Sequence, residues 1–144
     1  MIIHTNAGPY QSNRQGRLDN AARCIFSYGH CHSLALALNK LTAWPLCGMG
    51  FNFYDDKLFT DMPGHIFVKA PGCYVDIHGP MQWHSVYSDV RVMDLKEVRH
   101  WISLSHLGGY RKPDLRLAMP YARTLLQTHF PALHFPIATF KGRK

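Results

Sequence analysis

The sequence lacks the apolar runs and the cysteine spacings that identify several protein classes. No apolar run approaches the roughly 20 residues that a membrane-spanning helix needs, so no membrane segment is predicted. The chain contains neither a Cys-x-x-Cys pair nor a His-Glu-x-x-His motif. Their absence argues against a zinc ribbon, a dithiol redox motif and a zinc hydrolase of that type.

The first residues contain no basic segment followed by an apolar stretch, which is the pattern of a secretion signal. We therefore expect a cytoplasmic protein whose thiols are reduced. No internal repeat or low-complexity segment occurs. With 144 residues, the chain is expected to form a single domain, residues 1–144. Residues 1–16 are a possible flexible arm and residues 141–144 a basic tail.

Acidic residues are scarce. Nine Asp and Glu residues stand against 16 Lys and Arg residues, which gives a net charge of +7 and a pI near 9.4. The basic residues lie in small groups, such as Arg111, Lys112 and Arg116, and not in one long run. Such a surface attracts acidic proteins or nucleic acid. The pattern is compatible with an acidic protein partner, and it supports nucleic-acid binding only weakly.

Two helices are predicted in the first third of the chain. Cys31 follows a glycine and begins an apolar run without a polar face, which predicts a buried helix from about Cys31 to Thr42. Pro45 then ends this helix. Apolar residues at helical spacing predict a shorter helix over Leu18–Tyr28, which Gly29 ends.

Strands are predicted after these helices. His65–Ala70 and Cys73–His78 alternate in hydrophobicity on either side of Pro71–Gly72, which predicts a β-hairpin. Trp44–Tyr54 and Val86–Met93 are further strand candidates.

The C-terminal part of the chain favours helices again. Asp94 is a predicted N-cap of a helix that ends at Gly108, and Pro120 is expected in the first turn of a last helix, Tyr121–Phe130. His134–Phe140 is either a closing strand or a tail. The predicted order of elements, with helices first, then a small antiparallel sheet and then helices again, is an α+β pattern.

The chemistry of the sequence centres on Cys31. A thiol at a helix N-terminus lies where unpaired backbone N–H groups and the helix dipole favour the thiolate. The alternative is a small buried hydrophobe that happens to begin a core helix. That second interpretation is preferred for Cys24, Cys47 and Cys73, which lie in apolar segments.

The predicted hairpin supplies two partners for this thiol. Pairing around its turn brings His65 close to Asp76 or His78 on the neighbouring strand. An imidazole can take a proton from a thiol, and a carboxylate can orient the imidazole and stabilise its cation. Asp76 is preferred to His78 as the third residue for this reason, and His78 remains the alternative.

A family resemblance rests on these residues. It is carried by Gly29-His30-Cys31 at the start of a buried helix, Gly64-His65-Ile66-Phe67-Val68, and Tyr74-Val75-Asp76-Ile77-His78-Gly79. The chain resembles the papain-like thiol hydrolases, most closely their transglutaminase-like branch. The resemblance implies a buried N-terminal helix packed on a small antiparallel sheet, with C-terminal helices. It also implies Cys31 as nucleophile, His65 as general base and acid, and Asp76 as the orienting residue.

The resemblance implies acyl transfer through a thioester, without a cofactor, on a protein or peptide substrate. Water as the acceptor gives amide hydrolysis or glutamine deamidation, and an amine gives a crosslink. The backbone N–H of Cys31 is the first candidate for an oxyanion donor, with Gln11, Gln15 or Gln82 as candidates for a second.

Two other interpretations stay open. The ten histidines include candidates for a zinc site, which the purified protein's metal content would reveal; with Cys31, these are His30, His32, His65, His78 and His84. The second alternative is a non-enzymatic basic protein that binds or inhibits an acidic protein or contacts nucleic acid. A binding protein of that kind would keep its effect in a Cys31→Ala variant, whereas a thiol enzyme would lose it.

Overall fold

The chain folds as an α+β structure. The computed structural model describes residues 2–11, 14–27, 29–49, 63–81, 90–103 and 112–133. Within these residues the elements in chain order are β1 (Ile2–Thr5), β2 (Gly8–Gln11), α1 (Asn20–Ile25), α2 (Cys31–Thr42), β3 (Leu46–Met49), β4 (His65–Ala70), β5 (Cys73–Asp76), β6 (Gly79–Met81), β7 (Arg91–Met93), α3 (Leu95–Ser103) and α4 (Leu115–His129).

Five of these strands form one antiparallel sheet in the order β6-β5-β4-β3-β7. β4 lies at its centre and pairs with β3 on one side and with β5 on the other. Helix α2 packs between this sheet and α4. The main core therefore lies around α2, whose fully enclosed side chains include Ala37 and Leu38.

The predicted buried helix is confirmed with the bounds Cys31–Thr42. Its residues have low exposure on nearly every side because the sheet covers one face and α4 another. Ala43 ends the helix in a left-handed conformation, and its N–H donates to the carbonyl oxygen of Asn39 at 2.7 Å. No side chain forms a capping hydrogen bond at the first turn, which begins with Cys31.

Residues 2–11, predicted as part of a possible flexible arm, form a β-hairpin that packs against α1. Thr5 stabilises the turn, since its hydroxyl donates to the carbonyl oxygen of Gly8 at 2.6 Å and accepts from the N–H of Ala7. The ring Nε2 of His30 lies 2.9 Å from the carbonyl oxygen of His4. The hairpin is thereby joined to the residue that precedes Cys31.

The second predicted hairpin is confirmed, but its returning strand is shorter than expected. β5 ends at Asp76 because the carboxylate of Asp76 accepts a hydrogen bond from the backbone N–H of His78 at 2.7 Å. This local bond turns the chain, as aspartate side chains often do. The chain then forms β6, which pairs with β5.

Gly79 is required where it stands. Its φ of +90° is unfavourable for other residues, and a Cβ atom built on it would lie 2.9 Å from Nε2 of His129. The ring of His129, at the end of α4, therefore lies close to the backbone of β6, and a larger residue at position 79 would be strained by its φ and would displace this ring.

The last helix begins earlier than predicted. α4 spans Leu115–His129, and Pro120 lies inside it instead of in its first turn. The carboxylate of Asp114 accepts from the N–H of Leu117 at 2.9 Å and caps the helix. Buried residues at helical spacing already begin at Leu117, before the proline. This apolar stripe outweighs the backbone hydrogen bond that Pro120 cannot donate.

Other helix and strand boundaries differ by a few residues. α1 covers only Asn20–Ile25, after Asp19 as its N-cap, and β3 begins at Leu46 because Trp44 belongs to the turn that follows α2. The predicted N-cap Asp94 is confirmed, since its carboxylate accepts from the N–H of Glu97 at 2.7 Å. Predictions for Tyr28, residues 50–62, 82–89 and 104–111, His134–Phe140 and the tail 141–144 fall outside the described residues.

In the part of the chain that the structure describes, no helix combines the length and apolar character needed to cross a membrane.

The position of α2 makes a stability prediction. Leu38 is fully buried, whereas Leu36, on the same helix, is only half-buried. We expect Leu38→Ala to lower the free energy of unfolding by about 2–5 kcal/mol, because it leaves a cavity in the core. The matched control Leu36→Ala should cost clearly less. Urea denaturation followed by circular dichroism measures both, and equal losses would contradict the packing described here.

Candidate functional site

Cys31 is the first residue of α2, and its side chain is buried at 5% exposure. No hydrogen bond from its backbone N–H occurs among the described residues. A helix N-terminus of this kind carries partial positive charge. The thiol therefore lies beside donors that favour its ionised form.

His65 and Asp76 form the second part of the site. His65 begins β4 and Asp76 ends β5, the strand beside it. Nε2 of His65 lies 3.0 Å from Oδ2 of Asp76. The other carboxylate oxygen, Oδ1, accepts the N–H of His78. Both oxygens of Asp76 are thus engaged, and the carboxylate is held in place by the turn that ends its own strand.

The structure answers which hairpin residue lies against the imidazole of His65. The Asp76 side chain makes that contact, and it is buried at 5% exposure. His78 is exposed and contributes its backbone N–H to Asp76. With Nε2 facing the carboxylate, Nδ1 is the ring nitrogen left for the thiol of Cys31.

Two opposing effects act on the pKa of Cys31. Burial raises it, because a thiolate loses hydration in the core. Hydrogen bonding to His32 and His65, with the charges of the two rings, lowers it by more. The result is a pKa of about 6, well below the usual thiol value. The surroundings of the Cys31 thiol therefore favour its ionisation near neutral pH.

His65 shifts in the opposite direction. Burial lowers its pKa, but hydrogen bonds to Asp76 and Cys31, together with their charges, raise it to about 10. Between pH values of about 6 and about 10, the thiol is ionised while the imidazole is protonated. The site therefore holds a thiolate–imidazolium pair through the neutral range, with Asp76 as the counter-charge on the far side of the ring.

His32 belongs to this site, although its sequence context indicated only a candidate metal ligand. Its side chain is fully buried in the first turn of α2, and it lowers the pKa of Cys31. The signal available in the sequence was a histidine inside an otherwise apolar helix. A histidine buried to this degree needs compensation for its polar ring, and the ring interacts electrostatically with the neighbouring thiol.

The space around the three side chains is small. A narrow void, too small to hold a water molecule, touches Cys31, His65 and Asp76, and its other walls are apolar. They include Phe26 of the α1–α2 connection, Leu34 of α2 and Phe67 of β4. In such surroundings charge interactions are stronger than in water. This explains how nearby groups overcome the cost of burying the thiolate.

The predicted oxyanion donors differ in whether they lie near Cys31. The backbone N–H of Cys31 makes no hydrogen bond within the described residues and stays a candidate donor. Gln11 and Gln15 are exposed and do not line the void, and Gln82 lies outside the described residues. The side-chain amide of Asn6 packs against Gly29 instead. Its atoms lie about 3 Å from the position that a Cβ atom would take on Gly29. The hairpin thus brings an amide group to the chain segment that leads into Cys31.

The remaining thiols have different surroundings. Burial raises the pKa of Cys47 to about 11, and it also raises the pKa of Cys73. All four cysteines are free thiols. In the described ranges, no three or more His, Cys, Asp or Glu side chains are arranged to hold a metal ion. Cys31 is the thiol whose surroundings favour ionisation at neutral pH.

The two pKa shifts predict a pH profile. The thiolate absorbance lost in Cys31→Ala should titrate in the wild-type protein with a midpoint near pH 6. In His65→Ala the midpoint should rise, because burial still raises the thiol pKa and only His32 is left to lower it. Ultraviolet difference spectra against Cys31→Ala measure this directly.

His78→Ala is the matched control, since it removes an exposed imidazole from the same turn and keeps the backbone N–H that Asp76 accepts. Its midpoint should stay near that of the wild type. A wild-type midpoint near the ordinary thiol value of about 8.5 would contradict the ion pair.

Comparison with known proteins supplies no relative on which a role could be based: no protein-family model, no curated protein and no solved structure matches this chain.

Proposed function

We propose that this chain is a cysteine-dependent acyl-transfer enzyme with a papain-like core, closest to the transglutaminase-like branch. The observation that carries the proposal is a buried thiol interacting with an imidazole whose other side is held by a buried carboxylate. In this proposal Cys31 is the nucleophile, His65 the general base and acid, and Asp76 the orienting residue.

The first half of the reaction forms a thioester. The Cys31 thiolate attacks the carbonyl carbon of an amide, and the carbonyl electron pair moves onto oxygen. In this proposal the N–H of Cys31 stabilises that oxyanion. When the carbonyl re-forms, the carbon–nitrogen bond breaks, and the His65 imidazolium gives its proton to the leaving amine. The products of this half are an acyl-thioenzyme and a free amine or ammonia.

The second half releases the acyl group. Neutral His65 takes a proton from the attacking water or amine as the new bond to the carbonyl carbon forms. The carbon–sulfur bond then breaks and returns the electron pair to Cys31. Asp76 keeps Nδ1 of the ring directed at the sulfur through both halves, because it accepts from Nε2 throughout.

The proposed substrate is a protein or peptide amide. Water as the acceptor gives hydrolysis or deamidation of a glutamine, and an amine gives a crosslink. The net charge of +7 favours an acidic substrate or partner protein, since opposite charge speeds the encounter. A cytoplasmic location, in which the thiol stays reduced, remains part of the proposal.

The experiment that tests the proposal follows one acyl transfer. With para-nitrophenyl acetate, the wild-type protein should release nitrophenolate in a burst of one equivalent and carry the acetyl group on Cys31, as located by peptide mass spectrometry. His65→Ala should slow the burst about 100-fold or more, since proton transfer and thiolate formation are both lost. Asp76→Asn should slow it less, because the ring keeps a hydrogen-bond partner without the negative charge.

Cys24→Ala is the matched control, because Cys24 is half-buried and does not line the void around His65. Its burst should equal that of the wild type. Acetylation spread evenly over the four cysteines, or a burst that survives in Cys31→Ala, would overturn the proposal.

A further inference from the structure

A second and larger cavity lies on the other side of α2. Its volume is about 450 Å³, within the range of pockets that hold small molecules. Three elements enclose it: the C-terminal half of α2, one face of α3 and the beginning of α4. Most of its walls are apolar, and they include Leu36, Leu95, Ile102 and Leu115.

This cavity is separate from the void at Cys31. Among the described residues, the two spaces share no lining residue. On α2, Leu34, Ala35 and Leu38 face the void, whereas Leu36, Asn39 and Lys40 line the cavity. The helix therefore stands between them, and a ligand in the cavity does not touch the thiol.

Two cations lie at the cavity, and each follows an apolar wall residue by one helical turn. Lys40 comes four residues after Leu36 on α2, and Arg99 comes four residues after Leu95 on α3. Residues at this spacing share one face of a helix. Two facing helices thus present the same pair, a leucine at the wall and a positive charge beside it.

Neither cation has a counter-charge in the part of the chain described. No ion pair of Lys40 or Arg99 occurs there. The acidic residues of the neighbouring segments have other partners. Glu97 accepts from Arg91 at 2.8 Å, while Asp94 and Asp114 cap the N-termini of α3 and α4. The cavity therefore combines an apolar wall with two cations that have no ionic partner among the described residues.

We propose that this cavity binds a small anionic amphiphile, namely a carboxylate with an alkyl body. The alkyl part would replace water against the leucine and isoleucine wall, which is favourable in proportion to the area buried. The carboxylate would lie between Lys40 and Arg99, of which the guanidinium can bind it with two parallel hydrogen bonds. An alkyl cation would meet repulsion at the same place.

Octanoate is the probe, with 1-octanol and octylammonium as neutral and cationic analogues of the same length. Titration of the full chain, followed by ¹H–¹⁵N NMR, should show saturable shifts at the amides of Leu36, Leu95 and Leu115. Octanoate should bind at least about fivefold more tightly than octanol, an increment that exposed ion pairs can supply. Octylammonium should not saturate the site.

The double variant Lys40→Gln/Arg99→Gln should weaken octanoate about fivefold and leave octanol unchanged. Lys69→Gln is the matched control, since Lys69 is an exposed cation on β4 that does not line the cavity. Cys31→Ala should bind octanoate like the wild type, which separates this proposal from the acyl-transfer proposal. Equal affinities for octanoate and octanol, no effect of the double variant, or no saturation in the low millimolar range would overturn it.

Discussion

The contact between the first turn of α2 and the paired strands β4 and β5 is the interaction on which the rest of the structure depends. It places a buried thiol beside an imidazole and that imidazole beside a buried carboxylate. Burial alone would keep the thiol protonated. The two histidines near Cys31 offset that cost and lower the pKa of Cys31 to about 6. The same packing that forms the core thus sets the charge state of the site.

Several local features hold this contact in place. The turn after β5 uses Oδ1 of Asp76, so the carboxylate that faces His65 cannot rotate without losing a backbone hydrogen bond. The N-terminal hairpin is joined to His30 just before the thiol. Gly79 lets the end of α4 close over β6. The site residues are consequently positioned by rigid elements, which is what accurate proton transfer requires.

Helix α2 has different chemistry on its two sides. Towards the sheet it carries Cys31 in a narrow, apolar void. Towards α3 it lines a larger cavity whose two cations have no ionic partner in the described part of the chain. Two of the basic residues that give the sequence its positive charge, Lys40 and Arg99, thus lie together at this cavity. The net charge shows only that the surface is basic. In the proposed binding, the apolar wall beside Lys40 and Arg99 gives the cavity selectivity for a carboxylate with an alkyl body.

The sequence by itself determined the α+β class, helix Cys31–Thr42, strand His65–Ala70 and the turn beside it, because these depend on local patterns of hydrophobicity and on proline and glycine. It also brought His65 near Asp76 or His78, since a short hairpin limits where its residues can meet, and the chemistry of the residues together with the family resemblance added Cys31. Only the tertiary structure placed the side chain of Asp76, and not that of His78, against His65. It also extended the last helix through Pro120 and revealed His32 beside Cys31 and the cavity at Lys40. These depend on side-chain direction and on packing between distant segments, which no local pattern encodes.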